Sequence, residues 1–594
     1  MPIPSQRPFP FALLLGLAWA VTAAILFAER WQELPLRLFD ADDAMRVVEV
    51  REFLGTHGWF DLHEARLDPP LGYDTHWSRL IDAGLAALFW IARSFADADL
   101  AERLMRAVWP LLWLFAAMAA VVALSWRIGG RRAAVLALLI AAFAQPAFQH
   151  FRLGRVDHHN VQIALALAVV AAAAWSDRAR YAAALAGGLT GLALAIGLEN
   201  LLFVALAGAA MAVNFVIGPR ANGARDMTAG RPLAHYGLAF ALSTGAGFVL
   251  AVKPEVWGRV ACDAIAINWL LPATLAGFGF WIVGSKLAAA GTRTRALAVA
   301  IVGAGAFTAW MIVEPRCIAG PFALTDNAVR TVWLHGVDET APLWTSVRGF
   351  PLLAVWMCAF PLLALVAAGV LAHERSLRGD AGFWLAAAAL GVAVLTTVAA
   401  VKIYAYAMWF GMPLIAVAAS RVAMADGLRA GAVRFAVAAM LTPTVVTVAG
   451  VLVAHAAAGD DPVRPGMSER AICTRNDAYA SLAHLPPGLV AVDVNYGPYV
   501  LALTPHRVLA APYHRIRGGI VAADAILNGA AEKASAAAAR AAVDYIAICS
   551  TRSSTGELPS AGSLSAQLNA GDVPRWLEPA ARSLEGFSVY RVRN

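Results

Sequence analysis

The sequence predicts a polytopic α-helical membrane protein, of about thirteen transmembrane helices, that ends in a soluble α/β domain. Three observations predict it. Of 594 residues, 60% are hydrophobic and only 15% charged, with a mean hydropathy of +0.63; a soluble globular protein carries about 25% charged residues. Apolar runs of the length that crosses a bilayer, roughly 18 residues or more, recur as far as residue 456, with Phe9–Ala28, Leu104–Trp126 and Phe350–Ala372 the clearest. Beyond that point short strand-like and helix-like segments alternate.

Hydropathy places the spans near 10–28, 105–126, 132–148, 160–176, 181–198, 200–218, 236–252, 264–284, 295–313, 349–372, 381–400, 403–420 and 432–456. The first run has no small-residue cleavage site, so it reads as a retained helix. Leu80–Phe95 is apolar but short, and follows a Trp- and Pro-containing segment; it reads as part of a long first loop.

Charge gives the orientation. With the N-terminus in the cytoplasm, the inward loops are Arg127–Arg132, Asp177–Tyr181, Pro219–Tyr236, Ser285–Arg295, His373–Gly379 and Ser420–Arg429, and each contains Arg or Lys. That is the positive-inside bias. Counting Leu80–Phe95 as a span would invert the bias halfway along the chain. The net charge of +7 is therefore explained at the membrane surface, and nucleic acid is excluded as a partner. The outward segments are then 29–104, 149–159 and 314–348, and residues 1–456 form a membrane domain followed by an extracytoplasmic domain at 457–594. A single chain with short loops fits a bacterial inner membrane with a periplasmic C-terminal domain.

In the tail, Val490–Val494, Arg507–Ala511, Tyr545–Cys549 and Phe587–Val592 read as strands, and Ala522–Ala542 as helix. Five cysteines are too few for a disulfide scaffold. Cys473 and Cys549 either pair in an exported tail or remain buried thiols.

Charges at the hydrocarbon boundary are costly and mark function. Four outward clusters stand out. Asp40, Asp42 and Asp43, with Arg46 after them, are carboxylates close enough to repel unless a cation neutralises them; a divalent cation would do so, and a solvated loop or an acidic helix start is the alternative. Gly154-Arg155-Val156-Asp157-His158-His159-Asn160 supplies Asp157 and His159 as possible metal ligands, with Asp157 or Asn160 as a helix N-cap the alternative. The long segment from Glu314-Pro315-Arg316 to Val337-Asp338-Glu339 is the third. The fourth lies in the tail: Asp493-Val494-Asn495-Tyr496-Gly497, then His506-Arg507 and His514-Arg515, a polar face or a strand–turn–helix surface.

In their order and sidedness these segments resemble the catalytic subunit of oligosaccharyltransferases, within the GT-C superfamily of membrane glycosyltransferases. The resemblance covers nearly the whole chain, through short motifs. Asp40 and Arg46 match the spacing of the family's first-loop motif, Gly154, Asp157 and His159 match Gly-x-x-Asp-x-Glu with His in place of Glu, and Glu339 matches the carboxylate of a Val-x-Glu motif. Asn495-Tyr496-Gly497 stands where the family reads its acceptor with Trp-Trp-Asp-Tyr-Gly, and here both Trp are missing.

The resemblance implies a glycosyltransferase that moves a sugar or oligosaccharide from a polyprenyl-phosphate or -diphosphate donor, by inverting displacement, to a protein or glycolipid acceptor. It implies a divalent cation (Mg²⁺, Mn²⁺ or Zn²⁺) on Asp40, Asp157 and His159, and Asp40, Asp42, Asp43 and Glu339 as catalytic carboxylates. Arg46, Arg316 or Lys402 would meet the donor phosphate, and Asn495, Tyr496 and Gly497 the acceptor. The missing Trp pair leaves a lipid or polysaccharide acceptor open. A transporter or flippase is the competing class, but the acidic groups lie in outward loops and no repeat symmetry is visible.

Overall fold

In the computed structural model, helix occupies each of the thirteen apolar segments. The structure describes residues 11–218, 230–348, 351–423, 427–458, 472–549, 560–582 and 586–593. Part of the expected loop Pro219–Tyr236, namely 219–229, and the junction 459–471, near which the C-terminal domain is expected to begin, lie outside the described residues.

The membrane part opens with α1 (Phe11–Arg30). The first outward segment holds α2 (Ala41–Gly55), the two-residue strands β1 (His63–Glu64) and β2 (Tyr73–Asp74), and α3 (Arg79–Arg93). There follow α4 (Ala98–Ala142), α5 (His159–Ala174), α6 (Ala182–Ile196), α7 (Leu201–Ile217), α8 (Arg231–Ala251), α9 (Ile267–Lys286) and α10 (Thr292–Val313). Short helices α11 (Asn327–Val332) and α12 (Leu343–Ser346) lead to α13 (Pro351–Ala372), α14 (Ala381–Ala399), α15 (Tyr404–Ser420), α16 (Leu428–Met440) and α17 (Pro443–Ala458). Among the described residues, eight helices are long and apolar enough to cross a membrane, or nine if α16 and α17, bent by 55° at their break, form one span. The shorter helices α5, α6 and α7 are also apolar.

Local chemistry explains the breaks. α4 covers two expected spans, and its one non-helical residue is Gly130 at φ 73°, a conformation that glycine adopts without a Cβ clash. Arg131 and Arg132 follow at once, in the turn expected to face inward. Pro443 opens α17, and α16 ends three residues before it. α3 covers the short apolar stretch as an amphipathic helix, with Ile81 and Leu85 buried and Trp90 and Ile91 exposed. α5 and α15, apolar on all sides, are buried on nearly all sides and form the centre of the bundle.

The loops sort into two groups, as the charge parity requires. On one side Arg127 pairs with Asp177 and Asp380 at 3.0 and 2.7 Å, Arg178 with Asp380 at 3.2 Å, and Arg421 with Glu374 at 3.4 Å. All six residues lie in or beside loops expected to face inward. On the other side the first outward segment meets the tail. Asp68 N donates to Val508 O at 3.0 Å, Val508 N donates to Arg66 O at 2.8 Å, and Asn476 N donates to Leu36 O at 2.8 Å.

The tail folds around a five-stranded mixed sheet of order β4-β3-β5-β7-β6: β3 (Leu489–Ala491), β4 (Arg507–Val508), β5 (Tyr545–Cys549), β6 (Leu577–Arg582) and β7 (Phe587–Val592). β3 pairs in parallel with β4 and β5, and β7 antiparallel with β5 and β6. The sequence pattern missed β6. The expected helix Ala522–Ala542 is two helices, Gly518–Leu527 and Ala531–Arg540, separated at Asn528-Gly529-Ala530. Disulfides join Cys473 to Cys549 and Cys262 to Cys317.

Candidate active site

Where the first loop segment and the tail meet lies a cavity of about 1190 Å³. Outward breaks along the membrane domain contribute to its wall: Asp40 and Asp42, His158 and His159, Glu199, Asp263, Glu339 and Lys402, with Asn495, Tyr496 and His514 from the tail.

Asp40 caps α2. Its Oδ1 accepts from Asp42 N at 3.0 Å, which leaves Oδ2 for Arg155 Nη1, also at 3.0 Å. The same guanidinium reaches Asp43 at 3.2 Å, and its Nη2 bonds Asp157. Asp43 is fully buried and accepts from the amide of Val156 at 2.8 Å, and Asp157 accepts from the amide of His159 at 3.0 Å. Asp40 and Asp157 thus both bind backbone amides at helix starts, the structural alternative allowed for each motif, and also converge on one arginine. Burial, outweighing the Arg155 charge, pushes the Asp43 carboxyl up to about 7. At Asp157 burial acts in the same direction, but Arg155 and the neighbouring imidazoles hold the carboxyl far below its usual range.

Glu199 lies in the four-residue break between α6 and α7. Its carboxylate takes Lys402 Nζ at 2.9 Å and Tyr406 OH at 2.8 Å, with His159 Nδ1 at 3.2 Å. Burial opposes ionisation of Glu199, but Lys402 and His159 keep its carboxyl well below the ordinary range.

Asp42 and Glu339 differ from these. Both line the cavity, and among the described residues neither side chain has an ion pair or hydrogen bond. Burial, then the carboxylates of Asp40 and Glu339, raise Asp42 well above the usual carboxylate range. Glu339 is raised too, by lost solvation within the cavity and then by the Asp40 carboxylate, although the residue keeps an exposed surface.

The remaining candidates fall elsewhere. Arg46 is fully buried, bonded to Asp82 at 2.6 Å and Glu49 at 3.0 Å and stacked 4.5 Å from the Trp77 ring, so its charge is spent inside the first segment. Arg316 pairs with Glu314 at 2.7 Å, with its side chain 67% exposed and outside the cavity wall. Gly497 does not line the cavity; a Cβ there would sit 2.0 Å from Ala510 O, so the glycine serves close packing. Asp43 and Asp157 sit behind the wall, sealed by Arg155.

This bears on the expected cation. The three carboxylates Asp40, Asp43 and Asp157 do need a positive charge, and the Arg155 guanidinium supplies it. Asp157 is sealed, so Asp40, Asp157 and His159 do not meet as a ligand set. The set that does meet is His158, His159 and Glu199, each offering a ligand atom, all within 4.8 Å of one another. Sequence reasoning did not single out Glu199, Arg155 or His158 for a role. An acid in the turn Gly197-Leu198-Glu199-Asn200, between two apolar helices, was the available signal.

No protein-family model and no curated protein sequence matches the chain. Solved structures do. The archaeal oligosaccharyltransferase AglB from Archaeoglobus fulgidus, in complex with an inhibitory peptide and a dolichol-phosphate, superposes with a TM-score of 0.63 over 92% of this chain and 71% of that one, at 14% identity. The Archaeoglobus fulgidus oligosaccharyltransferase tethered with an acceptor peptide containing the NVT sequon gives 0.64 over 91% and 69%, at 14% identity. Its complex with Zn and sulfate gives 0.56 over 89% and 67%, at 15% identity. At such identity the likeness is one of fold alone: this chain shares the fold of the archaeal oligosaccharyltransferase structures.

Proposed function

We propose that the chain is a glycosyltransferase of the bacterial inner membrane that moves a sugar or oligosaccharide from a polyprenyl-phosphate or -diphosphate donor to an acceptor on the periplasmic face. One observation carries the reading. In a cavity where Asp40, Glu199 and Asp263 are each held by a protein cation, Asp42 and Glu339 are not. Two such carboxylates with raised proton affinity in one cavity wall suit proton removal from an acceptor.

The other residues fit around them. Trp269, Trp310, Phe322 and Trp333 make part of the wall apolar, as a polyprenyl chain requires. Lys402 presents positive charge where the departing phosphate would lie. Asn495 and Tyr496 line the same cavity, which supports a role for them in meeting the acceptor. A divalent cation fits at His158, His159 and Glu199, a nitrogen-rich set that suits Zn²⁺ or Mn²⁺ better than Mg²⁺. When bound, such an ion stabilises negative charge developing on phosphate oxygen. AglB is seen in complex with a dolichol-phosphate, which supports a lipid-linked donor. The absent Trp pair favours an acceptor other than the Asn-x-Ser/Thr sequon, such as a glycolipid or surface polysaccharide.

The test is reconstitution of the purified chain with polyprenyl-linked sugars and candidate acceptors. Transfer by the wild type and its loss in Asp42→Asn and Glu339→Gln support the reading. Undiminished transfer by both variants overturns it.

A further inference from the structure

A second group of ligating side chains converges on the cavity wall, away from His158 and Glu199. His76 comes from the first outward segment, Asp263 from the α8–α9 connection, and His514 from the C-terminal domain. Each offers one ligand atom, and the three atoms lie within 4.8 Å of one another. His514 Nε2 is 2.7 Å from Asp263 Oδ2, and the His76 and His514 rings are 4.9 Å apart. His76 Nδ1 is buried and has no hydrogen-bond partner, which for an imidazole nitrogen is an unmet bond.

We infer that His76, Asp263 and His514 form a transition-metal site of the zinc class that fastens the C-terminal domain to the membrane domain. Two imidazoles and a carboxylate are a donor set that zinc accepts, with one coordination position left over. All three residues line the cavity, so that position faces it. The site is held in place before any ion arrives. Cys262, next to Asp263, is bonded to Cys317, which ties the α8–α9 connection to the segment after α10. Arg515 Nε and Nη2 donate to the two Asp263 oxygens at 2.8 Å each. That contact fixes the carboxylate, as outer partners of metal ligands do. It also brings a positive charge near the ion, so affinity is moderated and the ion exchangeable. Three distant stretches of chain meet here, and a bound ion would stabilise only the arrangement in which they are together.

The test uses the full-length chain in detergent, stripped with chelator and titrated with Zn²⁺ alone by calorimetry, with Co²⁺ absorption as a second reading of the ligand field. His76→Ala is the informative variant, because among the described residues His76 has no hydrogen bond to lose. The expected result is that His76→Ala and His514→Ala each weaken one equivalent of Zn²⁺ at least ten-fold, and that this equivalent persists in His159→Ala. Wild-type stoichiometry and affinity in His76→Ala overturn the proposal, as does a His159→Ala chain that binds no zinc. If His514→Ala does not elute as a folded monodisperse species, His76→Ala decides alone. The titration reads metal and not sugar transfer, so failure here is distinguishable from failure of the glycosyltransferase reading: loss of only the His159-dependent equivalent concerns that reading.

Discussion

Arg155 Nη1 donates to Asp40 Oδ2 at 3.0 Å across 115 residues of sequence, and so joins the two acidic motifs into one buried unit. Asp43 and Asp157 complete it. The arrangement assigns Arg155 a structural task that precedes chemistry: three carboxylates can pack beside the cavity because one guanidinium lies between them.

Arg155→Ala is therefore expected to destabilise the chain strongly. Removing one partner from a buried ion pair costs about 3–5 kcal/mol, because the charges left behind stay desolvated. Thermal unfolding of the detergent-solubilised protein measures it. Arg155→Lys should recover part of the loss, since an ammonium lacks the fork that reaches several carboxylates.

Asp42→Asn and Glu339→Gln should behave in the opposite way. Their side chains hold no partner, and lost solvation and neighbouring carboxylates disfavour their charged forms, so neutralising them should leave stability unchanged or raise it. Transfer should fall by roughly 10²–10⁴-fold if they move the acceptor proton. Unfolding curves and turnover rates measured on the same preparations separate the two effects.

The pH dependence follows from the raised Asp42 carboxyl. A base works when ionised, so activity should climb as pH rises through its pKa. The acid limb should lie above the ordinary carboxylate range, because burial and then the Asp40 and Glu339 carboxylates disfavour the charged form. Removing the Glu339 charge favours ionisation of Asp42. In Glu339→Gln the acid limb of the residual activity should shift to lower pH, which a rate profile would show.

Glu199→Ala should raise the donor KM and lower turnover together. It removes the acceptor for Lys402, Tyr406 and His159 at once and leaves two cationic groups without their anion. Losses of roughly 10²-fold or more are expected for a group that positions a reaction site. Glu199→Gln, which keeps the shape and the hydrogen-bonding capacity, should lose less.

Cys473→Ser with Cys549→Ser should loosen the C-terminal domain. The bond connects the start of the described tail to the end of β5, and loss of a native disulfide costs about 2–5 kcal/mol. Limited proteolysis with and without reductant reads this directly.

Much of the architecture was legible because membrane insertion imposes simple rules. Apolar length gave the helices, and arginine placement gave two sets of loops, but the pairing of Arg127 with Asp177 and Asp380 appears only in the fold. The tail strands β5 and β7 followed from short runs rich in apolar and aromatic residues, continuous in β5, whereas β6 contains Glu578, Pro579 and Arg582 and lacks that signal. At the cavity, motif position brought Asp40, Asp42, His159, Glu339 and Lys402 to one wall. It could not tell Asp42, which faces the cavity, from Asp43, one residue on and fully buried, because helix phase decides that. Nor could it foresee Arg46 turned toward Asp82, a residue 36 positions away. Glu199 escaped notice because a single acid between apolar runs looks like a turn until Lys402 is folded against it.

The most direct test of the central claim is made in the host cell. The gene is deleted and restored as wild type, Asp42→Asn or Glu339→Gln, and lipid-linked sugars and surface glycans are compared by mass spectrometry. The account predicts that the deletion and both variants accumulate one polyprenyl-linked sugar and lose one glycan, while the wild type restores both. Unchanged lipid-linked sugars in the deletion strain, or full restoration by both variants, would contradict it.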